Sequence, residues 1–307
     1  MTMEHQLKIG IAGLGMVGSP LKRYFEEVKK YERGRDLFVY DTDPAKGYGD
    51  DINQAHAIFL CVPTPRLSSG DADTTAIDGV FRMLAGEKIV IIKSTVPPGT
   101  TEKFQALYPQ HKVLFNPEFL TERRAWEETL HPDRQLVGST VQSRPVAAAV
   151  LFLLPVAPVF SPSPDLMLSA TEAEIIKYAA NAFLARKVTF ANAIFDLADH
   201  HRADYERIRA GIAADRRIGP SHLDVRHHGY RGYGGYCFVK DTDALIAYLK
   251  REGLVQDAAL FEADRAFNTA LLASQGLTPE EVAVHDQEWI QKKMSKPKVQ
   301  MSNNESE

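Results

Sequence analysis

Cysteine is scarce in this chain, with two among 307 residues, and two without framework spacing build no disulfide scaffold. That scarcity points to a reducing compartment, and a cytoplasmic protein is expected. No apolar run approaches the roughly 20 residues needed to span a bilayer, so no membrane is expected as a partner. The N-terminal stretch Met1 to Lys8 is short and polar, unlike a signal peptide. Charge of one sign is lacking too: 36 Lys and Arg against 40 Asp and Glu leave a formal net charge of -4. Such a balance gives no reason to expect a nucleic acid. Neither an internal repeat nor a low-complexity segment precedes the C-terminal tail, and no metal site is expected. What remains, 44% hydrophobic and 25% charged residues, has the make-up of a soluble globular protein. The length exceeds one ordinary core and suits two domains and a tail.

The N-terminal half has a clear pattern. Leu7 to Ala12 is a short β-rich apolar run that leads into Gly13-Leu14-Gly15-Met16-Val17-Gly18. A helical pattern from Val17 to about Tyr31 follows, and Leu37 to Asp41 reads as a second strand. Strand, G-x-G-x-x-G, helix, strand and a terminal acid together describe a dinucleotide-binding unit. Its first two glycines allow a tight turn and the approach of a pyrophosphate, and the third lets the helix pack on the strand. The helix N-terminus then faces the phosphates, and Asp41 can accept from a ribose 2′-OH while repelling a 2′-phosphate. NAD, rather than NADP, is the expected cofactor. Further strand-like runs lie at Ala57–Val62, Lys88–Ile92, Lys112–Phe115 and Gln135–Gly138. Apolar strands alternating with helices indicate a parallel sheet covered on both faces. Pro63 and Thr64, and the Val96-Pro97-Pro98-Gly99 stretch, sit just past strand ends, where open α/β sheets bind ligands. Ser161-Pro162-Ser163-Pro164 reads as the end of this domain.

From Ser169 the pattern is helical. A long helix to about His200 carries apolar residues on much of its surface, which suggests burial against both its own domain and a second subunit. Ser169 or Thr171 can cap it, with Glu172 and Glu174 in the first turn. Further helices are expected near Tyr205–Ala213, Asp241–Arg251 and Asp257–Ala273. Between two of them lies Gly232-Tyr233-Gly234-Gly235-Tyr236-Cys237-Phe238-Val239-Lys240-Asp241. Three glycines in four positions let the backbone approach a ligand closely. A helix opening at Val239 would put Cys237 at its positive end, where a thiolate is favoured. Taken alone, Cys237 also reads as a buried, inert thiol in a tight turn.

Four segments together resemble one family: Lys93-Ser94-Thr95-Val96-Pro97-Pro98-Gly99-Thr100-Thr101, Asn116-Pro117-Glu118-Phe119-Leu120, Lys177 with Asn181, and the cysteine stretch. The chain is similar, from about Lys8 to about Asn268, to the UDP-glucose/GDP-mannose dehydrogenase family of NAD-dependent, four-electron sugar-nucleotide oxidoreductases. The resemblance implies a Rossmann-type doubly wound parallel sheet followed by an all-helical domain. It implies oxidation of a primary alcohol to the carboxylate through a cysteine thiohemiacetal and thioester. Cys237 would be the nucleophile and Lys177 and Asn181, four apart on one helix face, would meet a developing oxyanion. Glu118 would assist proton transfer, and Thr95 and Asp241 would hold water. Cofactor contacts would come from Gly13, Gly15, Met16, Val17, Gly18, Asp41, Pro63, Thr64, Thr95 and Lys240. Substrate contacts would come from Glu118, Phe119, Leu120, Glu122, Lys177 and Asn181, with Tyr233, Gly234 and Gly235 from the glycine stretch. Arg217 would reach the sugar from the partner subunit of a homodimer.

The expected domains are a NAD-binding domain over 1–165, a helical dimerisation and catalytic domain over 166–277, and a weak helix with a disordered polar tail over 278–307. Two departures from the family pattern stand out. The family continues into a third, Rossmann-like domain, whereas only about 40 residues follow Asn268 here, too few for one. A glycine usual after the Glu122 position is replaced by Arg123 and Arg124, which could take over part of a diphosphate contact. Two rival readings stay open: a two-electron dehydrogenase of the hydroxyacid or 6-phosphogluconate type, and a non-catalytic NAD-binding remnant. A single hydride transfer needs no thiol, so Cys237 separates the first rival from the family reading.

Overall fold

The computed structural model of the protein describes residues 7–157, 167–226, 229–284 and 290. Two compact units divide the chain, Met1–Ala180 and Asn181–Glu307.

In the first unit the elements run β1 (Ile9–Ala12), α1 (Gly18–Glu27), β2 (Leu37–Tyr40), β3 (Ala57–Leu60), α2 (Thr75–Met83) and β4 (Ile89–Ile92). They continue with α3 (Thr100–Leu107), β5 (Lys112–Phe115), α4 (Ala125–Leu130), β6 (Gly138–Ser139), α5 (Arg144–Leu153), β7 (Leu168–Ser169) and the start of α6 (Ala170–His200). One sheet of order β2-β1-β3-β4-β5-β6-β7 results. Side chains alternate across it, as the two-residue strand period requires. Ile58 and Leu60 of β3 join the core under α2 and α3, with Ile77, Phe81 and Phe104. Ala57 and Phe59 join the opposite core under α1 and α5, with Leu21, Phe25 and Val150. Both faces are thereby sealed, which is why the strands read as unbroken apolar runs. Each fully buried large side chain contributes about 1.5–3 kcal/mol. This is the expected doubly wound α/β fold.

The sheet is parallel from β1 to β5, but β6 pairs antiparallel with β5. The strand expected at Gln135–Gly138 shrinks to Gly138–Ser139 because its first residues serve another purpose: Gln135 Oε1 and the Leu136 carbonyl accept from the Asn116 amide. Helix α1 ends at Glu27, short of the expected Tyr31, since Lys30 adopts a left-handed backbone with φ 61°. The Tyr31 ring instead packs edge-on against Phe25, 5.3 Å between centroids. Ser169 caps α6 reciprocally with Glu172, whose N–H donates to Ser169 Oγ and whose carboxylate accepts from the Ser169 N–H. The Ser161–Pro164 boundary lies outside the described residues, and β7 still belongs to the sheet.

The second unit is helical: the rest of α6, α7 (Tyr205–Ala213), α8 (Gly235–Arg251), α9 (Val255–Ala273) and α10 (Pro279–Val282). Ala185 and Val188 of α6 pack with Tyr230, Tyr233, Val239 and Leu272. Ala191 and Ala198 pack with Tyr205 and Leu223. Helix α8 begins at Gly235, four residues before the expected Val239, and α9 begins at Val255. A Thr278–Glu281 capping box opens α10, and the expected polar tail lies outside the described residues. No described helix is long and apolar enough to cross a membrane.

Candidate active site

The glycine loop joins β1 to α1 beside β3, where the strand order reverses. Gly13 has φ +92°, and a Cβ there would stand 2.6 Å from the Cys61 carbonyl oxygen. A Cβ on Gly18 would stand 1.9 Å from the Gly13 carbonyl oxygen. Around Gly15, by contrast, a Cβ would meet no protein atom within 4 Å, so that backbone is open to a ligand. The N-terminus of α1 has no side-chain cap and no acid in its first turn, leaving its orphan N–H groups for an anion. Pro20, with no N–H to offer, sits in that first turn, where none is needed. Met16 and Val17 complete the loop.

Asp41 follows β2, its side chain only 7% exposed. Oδ2 accepts from the Leu14 N–H at 2.6 Å and from Lys46 Nζ at 2.9 Å, and Oδ1 accepts from the Asp43 N–H at 2.9 Å. Burial opposes its charge, but the N–H groups of Asp43 and Leu14 and the Lys46 ammonium outweigh burial and hold the carboxyl below its usual range. Asp41 thus braces the glycine loop as well as ending β2. Lys46, absent from the expectations, also donates to the Leu14 carbonyl at 3.1 Å. These residues fit a dinucleotide: an open glycine backbone, an uncapped helix start and an acid fixed beside both.

A second cluster lies past the ends of β4 and β5. Lys177 donates to the Glu118 carbonyl at 2.8 Å and to Glu118 Oε1 at 3.0 Å, both side chains buried. Leu120 N–H donates to the other carboxylate oxygen at 2.6 Å. Burial pushes the Glu118 carboxyl up, but Lys177, the Leu120 N–H and Lys93 outweigh it, and the group stays below its ordinary value. Lys93 is a second buried lysine, bonded to Asn116 Oδ1 at 2.6 Å. Burial lowers its pKa and the Lys177 charge adds to that, against Cys61 and Glu118. Phe119 lies under two cations, with Arg134 Cζ at 3.7 Å and Lys177 Nζ at 5.4 Å from its ring centre. Thr95 is buried, and its carbonyl accepts from Thr64 Oγ1 at 2.9 Å, while Pro63 stays exposed. Lys93 and Asn116 were missed as site residues. The signal was present, since a lysine ending the apolar run Ile89–Ile92 needs a buried partner.

The second unit holds its own set. Asn181 Nδ2 donates to Asp241 Oδ2 at 2.6 Å, and Lys240 pairs with Asp241 Oδ1. Burial works against the Lys240 ammonium, but Asp241, with smaller help from Cys237 and Tyr236, outweighs it and raises the pKa. Cys237 is half-buried in the first turn of α8, one turn before Asp241. Gly232, with φ +102°, brings the chain against Asn268, whose side chain pairs with both backbone groups of Tyr233. A Cβ on Gly234 would stand 1.9 Å from the Tyr230 hydroxyl, and Gly235 opens α8. The Tyr233 ring is buried in the helical core, and its backbone N–H and carbonyl are both bonded to Asn268.

Other expected residues are exposed. Glu122 is exposed in the short turn Glu122–Arg124. Arg124 bonds Glu127 on the surface. Arg217, 89% exposed, is paired with Asp215 at 2.6 Å.

Known proteins resemble this chain. The family model for the NAD binding domain of the UDP-glucose/GDP-mannose dehydrogenase family matches residues 26–152, and that for the central domain matches 171–270. A UDP-glucose 6-dehydrogenase of Bacillus subtilis is 34% identical over 72% of this chain and 50% of its own length. One of Rhizobium meliloti is 37% identical over 72% of this chain and 53% of its own. The solved UDP-glucose dehydrogenase of Pyrobaculum islandicum superposes with a TM-score of 0.74 at 28% identity, covering 87% of this chain and 68% of that one. The chain spans about half the length of the curated relatives it matches. With both domain models matched in order across most of its length, the chain belongs to the UDP-glucose/GDP-mannose dehydrogenase family, and its first domain is the family's NAD-binding domain.

Proposed function

We propose that the chain oxidises the primary alcohol of a sugar nucleotide, UDP-glucose or a close analogue, to the carboxylate in two NAD-dependent steps, acting as a cytoplasmic homodimer. The observation that carries this reading is the pairing along α6, where Lys177 is held by Glu118 and Asn181, one turn later, by Asp241. A fixed ammonium and a fixed amide one helical turn apart suit a negatively charged oxygen. The names of the Bacillus and Rhizobium relatives support UDP-glucose as the substrate class.

In the first oxidation the alcohol loses a proton and a hydride and becomes an aldehyde. Bound NAD is the hydride acceptor in both oxidations. Lys177 and Asn181 stabilise the alkoxide, and Glu118 passes on its proton. The Cys237 thiolate then adds to the aldehyde carbon, giving a thiohemiacetal. Its position in the first turn of α8, near the Lys240 ammonium, favours the ionised sulfur. Loss of the second hydride and a proton gives the thioester. Water attacks it, the carbon–sulfur bond breaks, and the carboxylate leaves with the thiolate restored.

For assembly, α6 presents Ile175, Phe183, Phe190 and Leu197 exposed at intervals of seven or eight residues, a stripe suited to a second copy of the helix. Arg217, exposed on the surface, would reach the partner's site in such a dimer.

Counting NADH per substrate consumed tests the reading, with UDP-glucose, GDP-mannose and free sugar phosphates supplied in turn. Two NADH and a carboxylate product are expected. One NADH with an aldehyde or ketone product would establish the two-electron alternative, and none from any substrate the non-catalytic one.

A further inference from the structure

Glu174 is 0% exposed, and its carboxylate is filled by one short segment of another element. It accepts from the Gly99 N–H at 2.6 Å, the Thr101 N–H at 2.8 Å and the Thr101 hydroxyl at 2.6 Å. Those donors open α3, whose N-cap is Gly99 and has no side chain to cap with. A carboxylate from α6 thus satisfies orphan N–H groups of a different helix. Glu174 stands three residues before Lys177 on α6, and its donors stand just after the loop that carries Thr95. Helix α6 is therefore fastened at two successive points. Glu174 holds it to the loop after β4, and Lys177 holds it to Glu118 after β5.

We propose that Glu174 is a positioning residue for catalysis, which ties the first turns of α6 to the loop Lys93–Gly99 and so fixes Lys177 against Thr95. This rests on the reading of Lys177 and Thr95 as site residues. Stability alone does not account for the residue. Burial pushes its carboxyl up to about 7 in spite of three donors, and Glu102 adds to the shift. Near neutral pH the ionised group thus costs stability, and a neutral side chain of equal shape would relieve that cost. What the carboxylate provides and an amide does not is acceptance at both oxygens. A Gln in its place turns an NH2 group toward one of the N–H donors, losing a bond and opposing two donors.

The test uses Glu174→Gln and, from the other side of the contact, Thr101→Val, which deletes only the hydroxyl donor and keeps the shape. Hydrogen exchange read by mass spectrometry gives a measure independent of turnover. For Glu174→Gln, exchange should quicken about tenfold both at residues 99–101 and at residues 174–180, the loss of one hydrogen bond to a charged group. The unfolding midpoint near pH 8 should stay level or rise. Turnover of a sugar nucleotide should fall about tenfold in kcat with KM within about threefold, as loss of transition-state geometry requires. Thr101→Val should shift both readouts the same way by less. Faster exchange at 99–101 alone, or a kcat loss that merely follows a fall in stability, would overturn the proposal. If the wild type yields no NADH from any sugar nucleotide, the functional reading fails by itself. In that case unlinked exchange at the two segments sinks the tether, and linked exchange upholds it.

Discussion

Lys177 grips Glu118 twice, donating to its carbonyl at 2.8 Å and to its carboxylate at 3.0 Å. One ammonium thereby fixes both the path of the loop after β5 and the orientation of its acid. Removing the acid's charge strands a buried cation, so Glu118→Gln should cost about 3 kcal/mol or more. The depressed Glu118 pKa sets the pH dependence. Its stabilisation is complete above the carboxyl's unfolded value and is lost as pH falls through the lower folded value. Unfolding midpoints of wild type and variant should therefore converge in acid, and parallel curves would refute the pairing as the cause.

Glu174 works in the opposite sense. With its pKa raised to about 7, the folded state binds a proton that the unfolded state has released. The stabilisation is present below about pH 4.5 and declines as pH rises to about 7, by up to about 3 kcal/mol. Glu102 is the charged neighbour that adds to the shift. Denaturant titrations across that window should show the decline in wild type and its absence in Glu174→Gln.

Asp41 should prefer NAD to NADP, and Asp41→Ala should narrow the gap. Because its carboxylate also braces Leu14 and Lys46, the variant should lose about tenfold in NAD affinity as well, a loss of about 1.4 kcal/mol. Fluorescence titration of both cofactors decides this. Equal wild-type affinities would remove Asp41 from the cofactor contacts.

The two thiols should differ sharply. Burial pushes Cys61 up to about 12, with Lys93 opposing and Glu118 adding to the shift, so iodoacetamide should spare it near neutral pH while labelling Cys237. Cys237→Ser should stop the second oxidation, with aldehyde or a slow ester adduct accumulating by mass spectrometry. Undiminished yield of two NADH in that variant would exclude a thioester.

Assembly is the last prediction. Phe183→Asp with Phe190→Asp places two charges on the exposed stripe of α6 and should convert a sedimenting dimer to a monomer without unfolding it. Loss of activity should accompany the change if Arg217 serves the partner's site. A wild-type monomer with full activity would discard both ideas.

Much of this was legible in the residues. Runs such as Ala57–Leu60 show their strands because both faces are covered, and the glycine loop shows its turn because Gly13 and Gly18 leave no room for a Cβ. Lys177 and Asn181 were legible as a pair through the family resemblance, with helical spacing putting both on one face. The buried contacts of Lys93 were not equally so. Asn116, Gln135 and Lys93 meet across three separate strand ends, and spacing along one element says nothing of such contacts. Glu174 read as a first-turn acid of its own helix, yet it caps another helix, a choice that only tertiary packing reveals. The antiparallel turn of β6 was hidden for the same reason, being two residues long.

Counting matters as much as chemistry on α6. Each residue of an α-helix turns the chain by about 100° and advances it about 1.5 Å. Adding or deleting one residue between Lys177 and Asn181 would swing the amide a quarter-turn or more off the lysine's face, with every other side chain intact. Under the proposed function the gene is therefore constrained in frame as well as in letter: substitutions between the two positions are judged one by one, whereas a single-codon insertion or deletion there separates the pair.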